Sequence, residues 1–234
     1  MASSSNSPSG SSTTNILRVI SADGFIGSWL LNLLLSKEYY VHATTKVPQP
    51  DCLTKCLLLG KIMTSFPNQL RLFKSNILDY SSILPAVVGC RGVFHLACPI
   101  PFAHVKNPLE EVIEPAIQGT CNVLQACKIA NVKRIVYVSS GAAIIKNLYF
   151  SKTGPINELS WSDGDFCLKY KRWYCYAKTM TEKNAVKIAK RDALDLISTC
   201  PTHVMRPLSE SPTNANVAYR IFGTRPRVCF LYSE

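Results

Sequence analysis

Short apolar segments alternate with longer amphipathic segments along most of the chain. Strands and helices in alternation are typical of an α/β fold, in which helices cover both faces of a doubly wound parallel sheet. The short segments predict strands at Ile16–Ile20, Tyr40–Thr45, Leu70–Lys74, Gly92–Leu96, Arg134–Ser139 and Asp195–Cys200. The longer segments predict helices at Phe25–Ser36, Ser81–Val88, Leu109–Ala130 (kinked near Pro115) and Arg172–Arg191, with a loop-rich stretch from Asn147 to Lys169.

The first predicted strand leads directly into a glycine-containing turn, VISADGFIG, that opens the first helix. Gly24 would let a pyrophosphate approach the backbone, Gly27 would allow close helix–strand packing, and the amides at the helix start would face the phosphates. Ser21 stands where the first glycine is expected, at a cost of about 1 kcal/mol if φ is positive there. Asp23 places a negative charge near the same phosphates. Both a nucleotide-binding turn and a turn that only keeps its shape remain open.

The end of the second predicted strand indicates which nucleotide the turn would take. An Asp or Glu at this place would select NAD through the ribose 2′-hydroxyl. The chain has Thr44, Thr45 and Lys46 there, and a cation favours the 2′-phosphate of NADP. Lys55 is a second candidate for the same contact.

Tyr174 and Lys178 lie four residues apart in WYCYAK, so a helix puts both on one face. A phenol has an ordinary pKa near 10, and a neighbouring ammonium lowers it towards the range useful for proton transfer. Ser140 ends the fifth predicted strand, on the side of the sheet where ligands bind. Its hydroxyl could donate to a carbonyl oxygen, or it could only cap a turn.

Composition and charge narrow the setting. Residues 1–14 are almost all Ser, Thr, Asn, Pro and Gly, which predicts a disordered tail rather than a secretory signal. Ten cysteines without such a signal indicate free thiols in a reducing compartment, and we expect a cytoplasmic protein. Cys52 and Cys56 have no matching Cys/His pair, so we expect no zinc site.

The net charge of +11 requires an explanation. Nucleotide cofactors and CoA esters are polyanions, so this charge does not require nucleic acid. Nucleic-acid binding is a third hypothesis, which the absence of a basic stripe interleaved with aromatic residues disfavours. No apolar segment is long enough to span a bilayer, and we expect no membrane partner.

Successive segments resemble plant cinnamoyl-CoA reductase-like and dihydroflavonol reductase-like proteins, of the extended short-chain dehydrogenase/reductase superfamily (NAD-dependent epimerase/dehydratase type). The resemblance runs from about Ile16 to Leu208 and includes VISADGFIGSWLLNLLLS, GVFHLACPIPF and KRWYCYAKTMTE. It implies a Rossmann fold over residues 15–208. It also implies NADPH-dependent reduction of a carbonyl or CoA thioester of a phenylpropanoid-type small molecule.

The resemblance carries roles onto particular residues. Tyr174 would protonate the nascent alkoxide, Lys178 would hold the nicotinamide ribose, and Ser140 would hydrogen-bond the substrate carbonyl. The cofactor NADP would contact the following positions: Ser21, Gly24, Phe25, Ile26, Gly27, Lys46, Asn76, Ile77, Ala97 and Pro201.

The chain also departs from the family pattern. Besides Ser21 and Asp23, Asn76 stands where an aspartate near the adenine is usual, and Arg206 replaces a glycine near the floor of the substrate site. After Leu208 the match decays into a divergent tail, residues 209–234, so most of the C-terminal substrate lobe is expected to be missing. A catalytically impaired relative that binds a nucleotide or a protein therefore remains the alternative function, and the sequence assigns no oligomeric state.

Two cysteines flank the segment that leads into the catalytic helix. Cys167 and Cys175 could form a reversible disulfide that regulates access, provided that their Cα atoms lie within about 7 Å. Two independent thiols are the expected alternative.

Overall fold

Six parallel strands form one sheet in the computed structural model, which describes residues 16–46, 57–98, 105–147, 156–157, 160–202 and 204. The strand order is β3-β2-β1-β4-β5-β6, and every neighbouring pair is parallel. The strands are β1 (Ile16–Ile20), β2 (Tyr40–Thr45), β3 (Leu70–Lys74), β4 (Gly92–His95), β5 (Arg134–Val138) and β6 (Leu196–Thr199). The predicted doubly wound α/β fold is therefore confirmed.

The chain first builds the sheet outward from β1 to β3 and then crosses back to place β4 on the other side of β1. The strand order thus reverses between β1 and β4. In an open α/β sheet, the loops that leave two such strands diverge to opposite faces and open a crevice at their carboxyl ends. The turn after β1 lies at this crevice.

Helices cover both faces of the sheet. They are α1 (Phe25–Ser36), α2 (Leu57–Ser65), α3 (Tyr80–Val87), α4 (Glu114–Ile129), α5 (Gly164–Lys169) and α6 (Trp173–Asp192). A π-helical turn, Leu109–Ile113, leads into α4, so the interruption predicted near Pro115 is a change of helix type.

Two of these helices, α2 and α5, were not predicted from the sequence. The α5 helix has only six residues, too few for a helical period, and it begins where the Asp163 carboxylate accepts a hydrogen bond from the Phe166 amide at 2.8 Å. The α2 helix packs Leu59 and Ile62 into the core. The apolar residues at its start hid the helical period.

Two apolar clusters lie on opposite faces of the sheet. One joins β1 and β2 to α1 and α2 through residues such as Val19, Leu31 and Leu59. The other joins β1, β4 and β5 to α3 and α4 through residues that include Ile20 and Leu124. Because successive residues of β1 point to opposite faces, this short strand contributes to both clusters and is buried on both sides.

Arg18 is a charged residue inside this otherwise apolar region. Its side chain is completely buried on β1, and it lies directly across from His42 of β2. The guanidinium carbon lies 4.5 Å from the centre of the Phe73 ring, and the group interacts with the Cys90 thiol. None of its three nitrogens has a well-formed hydrogen bond within the described residues. Burial lowers the pKa of Arg18 to about 10, because the charged form has lost its water.

We predict that Arg18→Leu stabilises the fold. A buried cation without a carboxylate partner is costly, and replacing buried ions with apolar residues often gains about 1–4 kcal/mol. Urea unfolding at pH 7 measures the change in the free energy of unfolding. The control is Arg71→Leu on β3, where the arginine is exposed and also lies near the Phe73 ring; we expect this change to be within about 0.5 kcal/mol. A destabilised Arg18→Leu variant would show that the charge has a favourable partner.

Candidate active site and nucleotide-binding loop

The turn between β1 and α1 is attached to the end of β2. The Ser21 amide donates to the Thr44 hydroxyl oxygen at 3.1 Å, and the Ala22 amide donates to the Thr44 carbonyl oxygen at 2.9 Å. Ser21 has a φ of 69°, the left-handed conformation for which a glycine is expected. The turn therefore keeps the glycine-type backbone with a serine in place, at a cost on the order of 1 kcal/mol.

The two glycines of the turn have different roles. A Cβ atom added to Gly27 would overlap the Ser21 carbonyl oxygen and lie 2.9 Å from the Ala22 Cα, so this position must be glycine for α1 to pack against the turn. A Cβ added to Gly24 would lie 3.4 Å from the Ser21 carbonyl oxygen, an ordinary contact. Packing of the chain therefore does not require a glycine at position 24. A glycine there would instead allow a ligand to approach the backbone closely.

The start of α1 has the features of a phosphate site. Gly24 precedes the helix in an extended conformation without a side-chain cap, and Phe25, Ile26 and Gly27 form the first helical turn. First-turn amides have no partner within the helix and carry the positive end of its dipole. These residues fit a pyrophosphate, with Asp23 as the one conflicting charge.

Asp23 belongs to this turn, and its side chain is partly buried. Burial raises the pKa of Asp23. Hydrogen bonds from backbone amides, among them the amide of Lys46, oppose that rise, as do the Lys46 ammonium and a hydrogen bond with the Ser21 side chain. The exposed Lys46 follows β2 directly. The cation predicted for the 2′-phosphate therefore lies near enough to Asp23 to affect the pKa of its carboxylate.

The four other predicted cofactor contacts follow β3, β4 and β6, at the same edge of the sheet. Asn76 is exposed, and its side-chain oxygen accepts from the Leu78 amide at 3.1 Å. The Ile77 side chain is buried against Gly119, so it serves the core. Ala97 is also almost fully buried, and the carbonyl of Pro201 accepts from the Gly141 amide at 2.8 Å.

Ser140 lies after β5 and has one of the two roles considered for it, the capping of a turn. Its hydroxyl oxygen accepts from the Ala142 amide at 3.2 Å and so caps the 3-10 turn Gly141–Ala143. Its hydroxyl group also lies near the Tyr174 phenol, close enough to oppose the rise of the Tyr174 pKa. The fold thus brings together two groups that are 34 positions apart in the sequence.

Tyr174 and Lys178 share one face of α6, but the lysine does not act on the phenol as expected. Burial raises the pKa of Tyr174, as does the nearby Cys98, and the hydrogen bond with Ser140 opposes this rise. Lys178 is 2% exposed, and its Nζ atom donates to the Val138 carbonyl oxygen at 3.3 Å. The expected lowering of the Tyr174 pKa by Lys178 is not found: burial has the larger effect and raises it, and the lysine ammonium lies at the Val138 carbonyl oxygen.

Glu182 completes the same helix face and was missed in the sequence. Its buried carboxylate accepts hydrogen bonds from the Ser139 and Ser198 hydroxyls, both at 2.7 Å, and from the Cys200 thiol at 3.5 Å. These donors belong to the carboxyl ends of β5 and β6, next to Ser140 and Pro201. The spacing Tyr174, Lys178, Glu182, four residues at each step, was the signal that could have identified it.

His95, at the end of β4, is buried beneath the site. Its Nε2 atom lies 3.2 Å from the Thr120 hydroxyl oxygen, and its Nδ1 atom has no hydrogen-bond partner among the described residues. Burial, with a smaller contribution from the Lys178 charge, lowers the pKa of His95 to about 3. The imidazole is therefore neutral in the folded protein at any pH near 7.

We predict that His95 makes the fold sensitive to mild acid. The folded pKa is about 3 and the unfolded value is about 6.5, so the unfolded chain alone binds this proton as the pH falls below about 6.5. Between pH 7.5 and 5.5 this linkage removes about 1.4 kcal/mol from the free energy of unfolding. Urea titrations at both pH values should show that loss in the wild type and a correspondingly smaller loss in His95→Gln. An equal loss in both would mean that other groups bind the protons.

We predict that the two glycines separate folding from binding. Gly27→Ala should destabilise the protein by about 1–3 kcal/mol, because the new methyl group overlaps the Ser21 carbonyl. Gly24→Ala, the matched control, should leave the free energy of unfolding unchanged within about 0.5 kcal/mol and weaken nucleotide binding. Thermal unfolding and calorimetric titration measure the two effects. Equal stability of the two variants would contradict the packing role assigned to Gly27.

The structure also bears on the predictions for the cysteines, the chain ends and membrane helices. Cys167 and Cys175 are free thiols whose pKa values are raised by burial, so the disulfide remains a prediction. Three groups of residues lie outside the described residues: Cys52 and Cys56, Lys55, and Arg206 with both predicted tails. Within the described residues, none of the helices combines the length and the apolar character needed to cross a membrane.

Comparison with known proteins agrees with this geometry. The profile of the 3-beta hydroxysteroid dehydrogenase/isomerase family matches residues 18–209. Cinnamoyl-CoA reductase 1 of Petunia hybrida is 38% identical over 204 residues, which are 87% of this chain and 59% of that protein. The chain thus spans about three fifths of the length of this relative.

Two solved structures are also similar. Vestitone reductase from alfalfa (Medicago sativa) superposes with a TM-score of 0.63 at 28% identity, over 78% of this chain and 55% of that one. Gre2 from Candida albicans, in complex with NADPH, superposes with a TM-score of 0.66 at 26% identity, over 83% of this chain and 60% of that one.

Proposed function

We propose a reductase activity for this chain on the premise that it belongs to the 3-beta hydroxysteroid dehydrogenase/isomerase family. The proposed reaction is the NADPH-dependent reduction of a carbonyl or CoA thioester in a phenylpropanoid-type small molecule. The observation that carries it is the placement of Ser140 beside Tyr174 at the carboxyl edge of the sheet, with Lys178 and the nucleotide-type turn at the same edge.

The two hydroxyl groups can act together on one oxygen atom. The Ser140 hydroxyl accepts from the Ala142 amide, so its own proton is available to a substrate carbonyl. The raised pKa of Tyr174 keeps the phenol protonated at neutral pH, as a proton donor to a developing alkoxide requires. Lys178, whose ammonium donates to the Val138 carbonyl oxygen, would hold the nicotinamide ribose. NADPH, when bound, supplies the hydride.

The support for NADPH comes from the turn and from the similar proteins. Gly24 leaves room that packing of the chain does not need, and the uncapped start of α1 offers amides to a pyrophosphate. Lys46 offers a cation at the end of β2. Gre2 from Candida albicans, whose fold is similar over 83% of this chain, was solved with NADPH.

The substrate class rests on the relatives. The petunia relative is named for cinnamoyl-CoA and the alfalfa structure for vestitone. Cinnamoyl-CoA and vestitone are both carbonyl compounds. The petunia and alfalfa proteins are both longer than this chain. Cinnamoyl-CoA and vestitone are therefore the first substrates to assay.

A second function is favoured by one observation, the altered nucleotide turn. Ser21 holds a strained positive φ and Asp23 adds a negative charge to the phosphate site. These two residues favour a nucleotide- or protein-binding module that does not catalyse a reaction. Nucleotide binding without turnover of either substrate would distinguish this function from the reductase.

We predict that Tyr174→Phe separates binding from catalysis. Loss of the proton donor should reduce kcat for NADPH-dependent reduction by about 100-fold or more, while the Kd for NADPH changes by less than about twofold, since the phenol is not expected to contribute to cofactor affinity. NADPH oxidation followed by absorbance, together with calorimetry, measures both quantities.

The matched control is Tyr170→Phe, which removes an exposed hydroxyl at the end of α5. It should leave both kcat and Kd unchanged. Equal activity of Tyr174→Phe and the wild type would overturn the assigned proton donor. Absence of turnover in the wild type, with NADPH bound, would favour the non-catalytic function.

A further inference from the structure

We propose that Glu182 is a positioning residue for the proposed reduction: it anchors the side chain of Ser139 and thereby fixes the backbone that carries the Ser140 hydroxyl group. This inference rests on the proposed function. It adds to that site a buried residue that acts only through its neighbours.

The Glu182 carboxylate binds side chains from two neighbouring strands. The residue is 6% exposed. The Ser139 hydroxyl donates to its Oε2 atom and the Ser198 hydroxyl donates to its Oε1 atom, each at 2.7 Å, and the Cys200 thiol lies 3.5 Å from both oxygens. The three ion pairs of the described residues do not include this carboxylate. Because a buried carboxylate needs hydrogen bonds in place of water, these donors are held firmly to it.

The anchored residue is the direct neighbour of Ser140. The Ser139 amide donates to the Thr199 carbonyl oxygen at 2.8 Å, so the backbone is still paired with β6 at this point. Ser140 has an extended conformation, in which consecutive side chains lie on opposite sides of the backbone. The side chain of Ser139 is buried against Glu182, and that of Ser140 is partly exposed. One anchored side chain therefore sets the direction of the next.

The same helix, α6, binds the backbone around Ser140 at two further points. The Lys178 Nζ atom donates to the Val138 carbonyl oxygen, and the Thr179 hydroxyl donates to the Ala143 carbonyl oxygen, both at 3.3 Å. These two contacts precede and follow the anchored pair of serines. The carboxylate contact is the shortest of the three, and a hydrogen bond to an ionised acceptor is about twice as strong as one between neutral groups.

The position of the Ser140 hydroxyl group matters for the proposed chemistry. Its oxygen accepts from the Ala142 amide at 3.2 Å, which leaves its proton for a substrate carbonyl. A displacement of about 1 Å in a positioned group can cost about 100-fold in rate. The neighbours of the Glu182 carboxylate are all donors, so the amide of a Glu182→Gln variant would present its own N–H groups to one of them. We expect that substitution to loosen the anchor without emptying its volume.

Two serine variants separate positioning from stability. Ser139→Ala and Ser198→Ala each remove a hydroxyl that donates at 2.7 Å to the same carboxylate, so both should lower the midpoint of thermal unfolding by similar amounts. Ser139→Ala should lower kcat for NADPH-dependent reduction about tenfold with little change in KM. Ser198→Ala should change kcat by less than about twofold. Equal kcat values in the two variants overturn the proposal.

A double-mutant cycle tests whether Glu182 acts through Ser140. Glu182→Gln should lower kcat about tenfold in the wild type, and by less than about twofold when Ser140 is already alanine. A tenfold loss in both backgrounds means that Glu182 affects the reaction by another route, and it overturns the assigned role.

A further measurement does not require turnover. Hydrogen exchange of the Ala142 amide, which donates to the Ser140 hydroxyl oxygen, should become about tenfold faster in Glu182→Gln and in Ser139→Ala, and should stay unchanged in Ser198→Ala. Equal exchange in the wild type and Ser139→Ala overturns the positioning role. If the folded wild type shows no turnover, the proposed reductase fails, and the exchange of this amide still decides whether Glu182 fixes Ser140.

Discussion

A parallel sheet whose strand order reverses between β1 and β4 determines where each group of the candidate site lies. All neighbouring strands run in the same direction, so their carboxyl ends meet at one edge. The nucleotide-type turn, Lys46, Ser140 and Pro201 each follow a different strand and still lie at that edge. Apolar clusters on both faces fix the strands, and thereby the distances between these groups.

The second determinant is the buried polar face of α6. Tyr174, Lys178 and Glu182 recur every four residues. Lys178 donates to the Val138 carbonyl, and Glu182 accepts from Ser139, Ser198 and Cys200 at the ends of β5 and β6. Buried charges are costly unless hydrogen bonds satisfy them, and here the hydrogen bonds to those charges connect the helix to two strands. The stabilisation of these charges and the positioning of Ser140 beside Tyr174 therefore depend on the same contacts.

The turn after β1 shows how a fold tolerates local departures. Gly27 is required for packing and is retained, whereas the first glycine position has become a serine in a left-handed conformation. The backbone keeps its course because Thr44 accepts the two amides of the turn. Since the geometry survives, the effect of the departures falls on the charge at the phosphate site, where Asp23 is partly buried.

The six strands, the fold class and the glycine turn could be predicted from the residues alone, because periodicity and turn chemistry act over a few residues. Strand bounds agree within one residue at each end, and the four predicted helices were found. Resemblance to known reductases supplied the roles of Ser140, Tyr174 and Lys178. The helices α2 and α5 were not predicted. The α5 helix is too short to show a helical period, and the apolar residues at the start of α2 obscure one.

The partners of the charged groups became visible only in the folded chain. Spacing placed Tyr174 and Lys178 on one face, yet the Lys178 ammonium binds the Val138 carbonyl and burial raises the Tyr174 pKa. The carboxylate of Glu182 gained its three donors from segments distant in the sequence. A charge acts through distance and dehydration, and both are set by how the strands and helices pack against one another.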